Sequence, residues 1–198
     1  EKYRRTALFY ALRNPNISIL QAFLDTEIDL DRPANLLPGE DPQSPLIYCL
    51  DKNHRDFQKA RLLLRNGASV NNYQKSGYVS ALEWAISHKD VESLTLIMPF
   101  CGKQVNAPNP QGQFVTHMCI TNDFCEGLHI IESLDPDFNP NLYSDAFPHP
   151  LHYLIDNCSK SDKLNASMLA LLRLKKIHVN ALDADRNTPL IRALQKNL

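Results

Sequence analysis

Short apolar stretches recur along the chain, and each is followed by a second stretch whose apolar residues have helical spacing. The recurring unit is a heptapeptide that usually begins with a small polar residue and ends in Leu or Ile. In the second stretch, apolar side chains lie three and four residues apart, as in residues 57–64 and 91–97. This spacing indicates amphipathic α-helices. The pattern therefore predicts pairs of short helices that repeat along the chain.

Six copies of the heptapeptide can be aligned, and their first residues lie 34 to 39 positions apart. The copies occupy residues 6–12, 44–50, 80–86, 114–120, 149–155 and 188–194. A second motif trails each of the first five copies at a nearly fixed distance, and its fullest form is Asn-Gly-Ala-Ser-Val-Asn at residues 66–71. Self-similarity at such a period indicates an array of identical structural units.

Each copy also carries the local chemistry of a helix start. Thr or Ser followed by Pro is typical of a first turn, because the hydroxyl caps free backbone N–H groups and Pro fits there. We expect the leucine that follows to point into the core, and Gly67 to end a second helix in the left-handed conformation. The fourth copy departs from the pattern, since Phe114 replaces the capping residue and Gly127 is expected to interrupt its second helix.

The register of the two motifs resembles the ankyrin repeat family, whose repeats of about 33 residues share a Thr-Pro-Leu-His core. The resemblance covers essentially the whole chain. It implies an all-α solenoid of helix-turn-helix units with projecting β-hairpin finger loops. It also implies one array over residues 1–198, which we expect to be a fragment of a larger protein with a truncated last repeat. The repeats would begin near residues 2, 40, 76, 110, 145 and 184.

Composition and charge argue against several classes of function. The chain has 21 Lys and Arg against 22 Asp and Glu, so it lacks the basic surplus of a nucleic-acid binder. No apolar run approaches the roughly 20 residues that a membrane span needs. The five cysteines are an odd number without a Cys-x-x-Cys pair. They indicate reduced thiols and an intracellular protein, in the cytoplasm or the nucleus.

No enzyme motif stands out, and we expect no catalytic residue, metal, cofactor or small-molecule substrate. His149, His152 and Cys158 lie close together in sequence, which leaves open a concealed modifying enzyme that uses His149 and Cys158. The resemblance implies a structural role instead. His149 occupies the capping position, and His152 occupies the position from which histidine hydrogen-bonds across ankyrin repeats. Asp183 and Asp185 are expected to be turn residues between repeats.

The resemblance implies a module that binds a partner protein or peptide through the concave face formed by finger loops and first helices. The chain could alternatively be the substrate-recruiting domain of a larger enzyme, or of a bacterial effector acting in a host cell. Contacts are expected from finger tips, from the ends of first helices, and from aromatic residues at the fifth heptapeptide position. The candidate contact residues are Tyr73, Lys75, Tyr78, Trp84, His88, Gln111, Asn122, Tyr143, Tyr153 and Asn157.

Overall fold

The first helices begin at the heptapeptides, as a computed structural model of the chain shows. The structure describes residues 6–33, 43–71, 79–157 and 162–198. The chain divides into two compact units, residues 1–84 and residues 85–198, which we call unit 1 and unit 2.

Unit 1 is built from helix pairs. Its helices are α1 (Ala7–Arg13), α2 (Ile17–Leu24), α3 (Pro45–Leu50), α4 (Phe57–Arg65) and the first half of α5 (Ala81–Ser87). The two helices of each pair pack together, as α1 does with α2 and α3 with α4. First helices also pack on first helices and second helices on second helices, so each pair covers the flank of its neighbour.

A buried lysine joins the two helix pairs of unit 1. The Nζ atom of Lys59, on α4, donates hydrogen bonds to the carbonyl oxygens of Leu12 at 2.8 Å and Asn14 at 2.9 Å. These carbonyls belong to the C-terminal end of α1, which carries a partial negative charge. Asp56 lies 3.1 Å from the same ammonium group and pairs with its charge. The lysine therefore caps a helix of the preceding repeat.

Unit 2 continues the same plan. Its helices are α6 (Val91–Ile97), α7 (Val115–Thr121), α8 (Glu126–Leu134), α9 (Pro150–Asn157), α10 (Asp162–Leu172) and α11 (Pro189–Gln195). Two short 3-10 turns, Met98–Phe100 and Gly102–Asn106, follow α6. The first helices α7, α9 and α11 pack in sequence, and the second helices α6, α8 and α10 do the same.

The predicted helix caps are confirmed at three copies and wrong at one. Ser44 accepts a hydrogen bond from the N–H of Ile47 at 3.2 Å, and Ser80 and Thr188 make the equivalent bonds at 3.1 and 3.4 Å. The hydroxyl of Thr6 is buried and has no hydrogen-bond partner among the described residues, although Thr6 precedes α1. Phe114 does not cap α7, as its apolar side chain predicts.

The leucine at the third heptapeptide position forms the core, as expected. Leu8, Leu46, Leu82 and Leu151 are each at most 3% exposed. In the sixth copy the equivalent Leu190 is 70% exposed. The flank of α11 that corresponds to the covered flanks of the other first helices therefore lies open in the described part of the chain.

The two glycines singled out in the sequence behave differently. Gly67 follows α4 with φ +95°, which confirms its predicted role at the helix end. The expectation for Gly127 is wrong, because Gly127 lies in the first turn of α8 and that helix continues to Leu134. A Cβ atom at Gly127 would lie 2.6 Å from the ring of Phe124. Glycine is therefore needed there for close packing.

Candidate functional site

The ten candidate contact residues fall into four groups. Tyr73, Lys75 and Tyr78 lie outside the residues that the structure describes. Trp84 is only 7% exposed, so its ring packs in the interior and presents little surface to a partner. His88 is exposed just beyond the end of α5. The remaining five residues all lie in unit 2, where their geometry can be followed.

Unit 2 contains three finger segments, each of which precedes a first helix. They are residues 107–114, 139–149 and 179–188. Turns shape these segments, and none of their residues is in a β-strand. The second finger is closed by hydrogen bonds between the backbones of Ser144 and Phe147, at 2.8 and 3.1 Å. It also contacts the first finger, because the hydroxyl of Ser144 donates to the carbonyl oxygen of Gly112 at 3.1 Å.

One side chain organises the turn of each outer finger. The Oδ1 atom of Asn109 accepts hydrogen bonds from the backbone N–H groups of Gln111 at 3.1 Å and Gln113 at 2.8 Å. Asp183 accepts the same two bonds in the third finger, at 3.0 and 2.7 Å. The backbone hydrogen bond from Asn187 lowers the pKa of the Asp183 carboxyl. Asp183 is therefore a turn residue, as predicted.

Tyr153 links the second finger to the first helices. Its hydroxyl lies 3.1 Å from the Oγ1 atom of Thr121, on the neighbouring helix α7. Its ring lies 5.6 Å from that of Phe147 in the finger and 5.1 Å from the imidazole of His117, measured between centroids. The ring of Tyr153 is half-buried by these contacts. Tyr153 therefore packs between the finger and the first helices, and part of its side chain remains exposed.

Tyr143 is the exposed aromatic of the second finger. Its side chain is 58% exposed, although its ring packs on that of His149 with centroids 4.0 Å apart. Gln111 is exposed in the adjacent finger. Five candidate residues thus lie on the fingers and first helices of unit 2, and we call them the finger–helix surface. They are Gln111, Asn122, Tyr143, Tyr153 and Asn157.

Two of these five residues also stabilise helix ends. The side-chain amide of Asn122 donates to the carbonyl oxygen of Met118 at 2.8 Å, and that of Asn157 donates to the carbonyl oxygen of Tyr153 at 2.9 Å. Both bonds satisfy carbonyl groups in the last turn of a first helix. These two candidate contact residues therefore also take part in the helix ends on which they lie. Each amide uses one of its two N–H donors in this bond, so a second N–H group and the Oδ1 acceptor are left to offer a partner.

The histidines of unit 2 connect successive repeats. The Nε2 atom of His152 lies 3.0 Å from the carbonyl oxygen of Asn187, which confirms the predicted bond across repeats. His117 makes the equivalent bond to Pro148 at 2.8 Å. His149 is half-buried beneath Tyr143. Burial lowers its pKa, and the positive form of neighbouring His152 lowers it further.

The four described cysteines are buried, and burial suppresses the ionisation of three of them. Burial raises the pKa of the Cys49 and Cys101 thiols to about 12, and it raises the pKa of Cys119 well above its usual range. A thiol that stays protonated is a poor nucleophile. Cys158, the second member of the concealed-enzyme pair, lies outside the described residues. Within the described part, no three His, Cys, Asp or Glu side chains come together as a metal site requires.

Sequence reasoning missed the asparagine ladder between repeats. Asn106 accepts a hydrogen bond from the N–H of Asn139 at 2.9 Å and donates to the carbonyl oxygen of Asp137 at 2.8 Å. Asn141 binds the backbone of the next repeat in the same way, with both distances at 2.7 Å. In unit 1, Asp31 accepts the corresponding bond from Ser69 at 2.9 Å. The recurrence of Asn at the trailing motif was the signal that could have revealed this role.

Comparison with solved structures agrees with this architecture. An ankyrin repeat protein designated EF0377 superposes with a TM-score of 0.68 at 18% sequence identity, covering 96% of this chain and 92% of its own. An ankyrin repeat domain from Acinetobacter baumannii AYE superposes equally well, with a TM-score of 0.68, 18% identity and coverage of 96% and 91%. No protein-family model and no curated protein matches the sequence.

The chain has the ankyrin-repeat fold, an all-α solenoid of helix pairs. The predicted fold class is thereby confirmed. Repeat solenoids present extended surfaces that can bind partners, although a fold alone does not name a function. Among the described residues, no helix is long and apolar enough to cross a membrane.

Proposed function

We propose that the chain binds a partner protein or an extended peptide through the face shared by its fingers and first helices, the concave face of an ankyrin array. The observation that carries the proposal is Tyr143, which is 58% exposed while its ring rests on His149. A tyrosine held in place loses little side-chain entropy on binding, and tyrosine is enriched among the residues that dominate interface energy.

The surroundings of Tyr143 suit a protein interface. Gln111 is exposed in the first finger, which the second finger contacts through Ser144 and Gly112. Tyr153 and Asn122 are half-buried on the first helices α9 and α7. An exposed aromatic side chain on a surface that also carries polar groups is common in binding patches. Trp84 differs from these residues, because its buried side chain contributes to the core. We expect Trp84→Ala to loosen the fold as well as weaken binding.

Four other residues remain in the proposed interface on sequence grounds. His88 is exposed at the end of α5, and Tyr73, Lys75 and Tyr78 belong to the finger before the third copy. The same face suits an adaptor and a recruiting domain of a larger enzyme or effector. We infer a location inside the cell, in the cytoplasm or the nucleus, because Cys49, Cys101 and Cys119 are buried thiols that form no disulfide.

The test first identifies the partner and then measures its affinity for variants of the proposed surface. The wild-type chain is used as bait in a cell lysate, and the proteins retained are identified by mass spectrometry. A candidate is then expressed alone, and its affinity is measured by calorimetry for the wild type and for Tyr143→Ala. We expect Tyr143→Ala to cost about 1–3 kcal/mol of binding, the usual range for an anchor residue. The thermal midpoint should change little, because more than half of the side chain is already in water.

The control is Leu169→Ala, which removes an exposed aliphatic side chain from the second helix α10, where Leu169 is 54% exposed. This change should leave the affinity intact. If Leu169→Ala abolishes binding while Tyr143→Ala has no effect, the partner binds the second helices and the proposal is wrong. Tyr73→Ala and Tyr78→Ala extend the same measurement to the finger before the third copy.

A further inference from the structure

His117 lies fully buried at the joint between two repeats of unit 2. Its Nε2 atom lies 2.8 Å from the carbonyl oxygen of Pro148. A carbonyl can only accept, so Nε2 carries the proton of a neutral imidazole. The Nδ1 atom is also buried, and it has no hydrogen-bond partner in the described part of the chain. The rings of Phe114, Phe147 and Tyr153 surround the imidazole at centroid distances of 6.2, 5.5 and 5.1 Å.

We propose that this joint is an acid-sensitive switch, in which protonation of His117 separates the second finger and α9 from α7. A second proton would have to reside on Nδ1, which has no acceptor. The resulting positive charge would also be enclosed by three rings and away from water. Burying a charge or an unpaired donor in this way is costly. The joint can relieve that cost only by opening, which frees residues 139–149 along with Tyr143.

The titratable groups that face this joint do not offset the charge. On His117 itself, burial has the largest effect and lowers the pKa, the hydrogen bond to Pro148 raises it, and a positive His149 lowers it again. Tyr153, from α9, meets the imidazole edge-on at an interplanar angle of 82°. His149 in turn lies near His152 and His178, so protonation of one imidazole opposes protonation of the next. Asp183 faces His152, at the following joint.

The direction of the effect follows from the lowered pKa. In the unfolded chain histidine binds a proton near its ordinary pKa of 6.5, whereas folded His117 binds it only at a lower pH. The stability that neutral His117 contributes is therefore fully present above pH 6.5 and is lost as the pH falls below it. Each such histidine raises the unfolding equilibrium constant about tenfold per pH unit in this window. The aspartates with lowered pKa start from an ordinary value of 3.8, so they act at lower pH.

The experiment compares urea unfolding of the wild type, His117→Gln and His88→Gln at pH 7.5 and pH 5.5, followed by circular dichroism. Glutamine at position 117 keeps an N–H donor for Pro148 and cannot be protonated. Its loss of ring packing is the same at both pH values. His88 is an exposed histidine of unit 2 and serves as the matched control. Between pH 7.5 and pH 5.5, the unfolding equilibrium constants of the wild type and of His88→Gln should rise by the same factor. For His117→Gln this rise should be about tenfold smaller.

A second measurement uses the unaltered protein and follows the turn of the second finger, which the amides of Ser144 and Phe147 close and which the ring of Phe147 anchors on His117. Amide hydrogen exchange, corrected for the intrinsic effect of pH, should show loss of protection for Ser144 and Phe147 at pH 5.5. Ala60 in α4 should keep its protection. The inference is overturned if His117→Gln retains the full pH dependence of the wild type. It is equally overturned if nuclear magnetic resonance shows folded His117 doubly protonated at pH 5.5 while Ser144 and Phe147 stay protected. The latter readout applies even if His117→Gln does not fold.

Discussion

Single residues in the fingers of unit 2 determine how the turns close. Asn109 and Asp183 accept equivalent pairs of backbone hydrogen bonds, yet the two turns differ three residues later. There the first finger has Gly112 at φ +85°, and the third finger has Arg186 at φ +63°. Left-handed backbone suits glycine and costs other residues about 1–2 kcal/mol. The third finger therefore holds strain that the first finger avoids.

We expect Arg186→Gly to stabilise the protein by about 0.5–1 kcal/mol. Removal of Cβ relieves the left-handed strain, and the greater freedom of glycine in the unfolded chain offsets part of the gain. The measurement is the free energy of urea unfolding. Asp185→Gly, at the preceding residue of the same turn, is the matched control, because it adds the entropic cost without relieving strain. It should destabilise by a similar amount, and a loss of stability in both variants would contradict the argument.

At the scale of the element, packing overrides helix propensity in α8. Gly127 lies in the first turn, where alanine would ordinarily favour the helix. A Cβ atom would lie 2.6, 2.8 and 3.1 Å from three ring atoms of Phe124, which is itself buried. Real Cβ atoms do not approach a ring so closely. Gly127 therefore allows the ring of Phe124 to pack closely against α8, where the sequence suggested that the helix would be interrupted.

We expect Gly127→Ala to destabilise the protein by about 1–3 kcal/mol, the usual cost of overpacking a core. The sign is opposite to the gain that helix propensity predicts for this substitution. Phe124→Leu provides the test of cause, because a smaller side chain leaves room for the new methyl group. In a double-mutant cycle, the combined variant should lose clearly less stability than the sum of the single variants. An additive result would show that the ring is not the cause.

For the whole molecule, local sequence signals were sufficient to predict the fold. They were not sufficient to predict the contacts between repeats or which side chains are exposed. Ser44 followed by proline marks a helix start in any context, and such marks repeated in register define the array. The bond from His152 to Asn187 followed only from resemblance to a family, since it joins residues 35 positions apart. The burial of Trp84 could not be read from its position in the heptapeptide, because the same position in the first copy leaves Tyr10 58% exposed. Burial there depends on what neighbouring repeats supply.

Acid stability below the histidine window depends on carboxylates that join repeats. Asp156 accepts hydrogen bonds from Arg192 at 3.0 and 3.2 Å and forms an ion pair with Lys196 at 2.6 Å, which ties α9 to α11. Partial burial alone would raise the pKa of Asp156, but the bonds and charges of Arg192 and Lys196 outweigh it and lower the pKa. For Asp56 in unit 1, partial burial is likewise outweighed by the hydrogen bonds and charge of Lys59, and the pKa is lowered.

We therefore expect a second loss of stability as the pH falls below the ordinary aspartate pKa of 3.8, through the lower values of the folded state. Below 3.8 the unfolded chain binds the protons first, so the stability that these groups contribute is present above this pH and lost beneath it. Asp156→Asn should be less stable than the wild type at pH 5 and should approach it as the pH falls toward 2, because the wild-type carboxyl then takes up its proton. Urea unfolding at pH 5, 3.5 and 2 measures this convergence. Asp145→Asn, which alters an exposed carboxylate of the second finger, should run parallel to the wild type. A constant gap between Asp156→Asn and the wild type at all three pH values would mean that the substitution acts through packing, and that the Asp156 charge does not hold α11 in place.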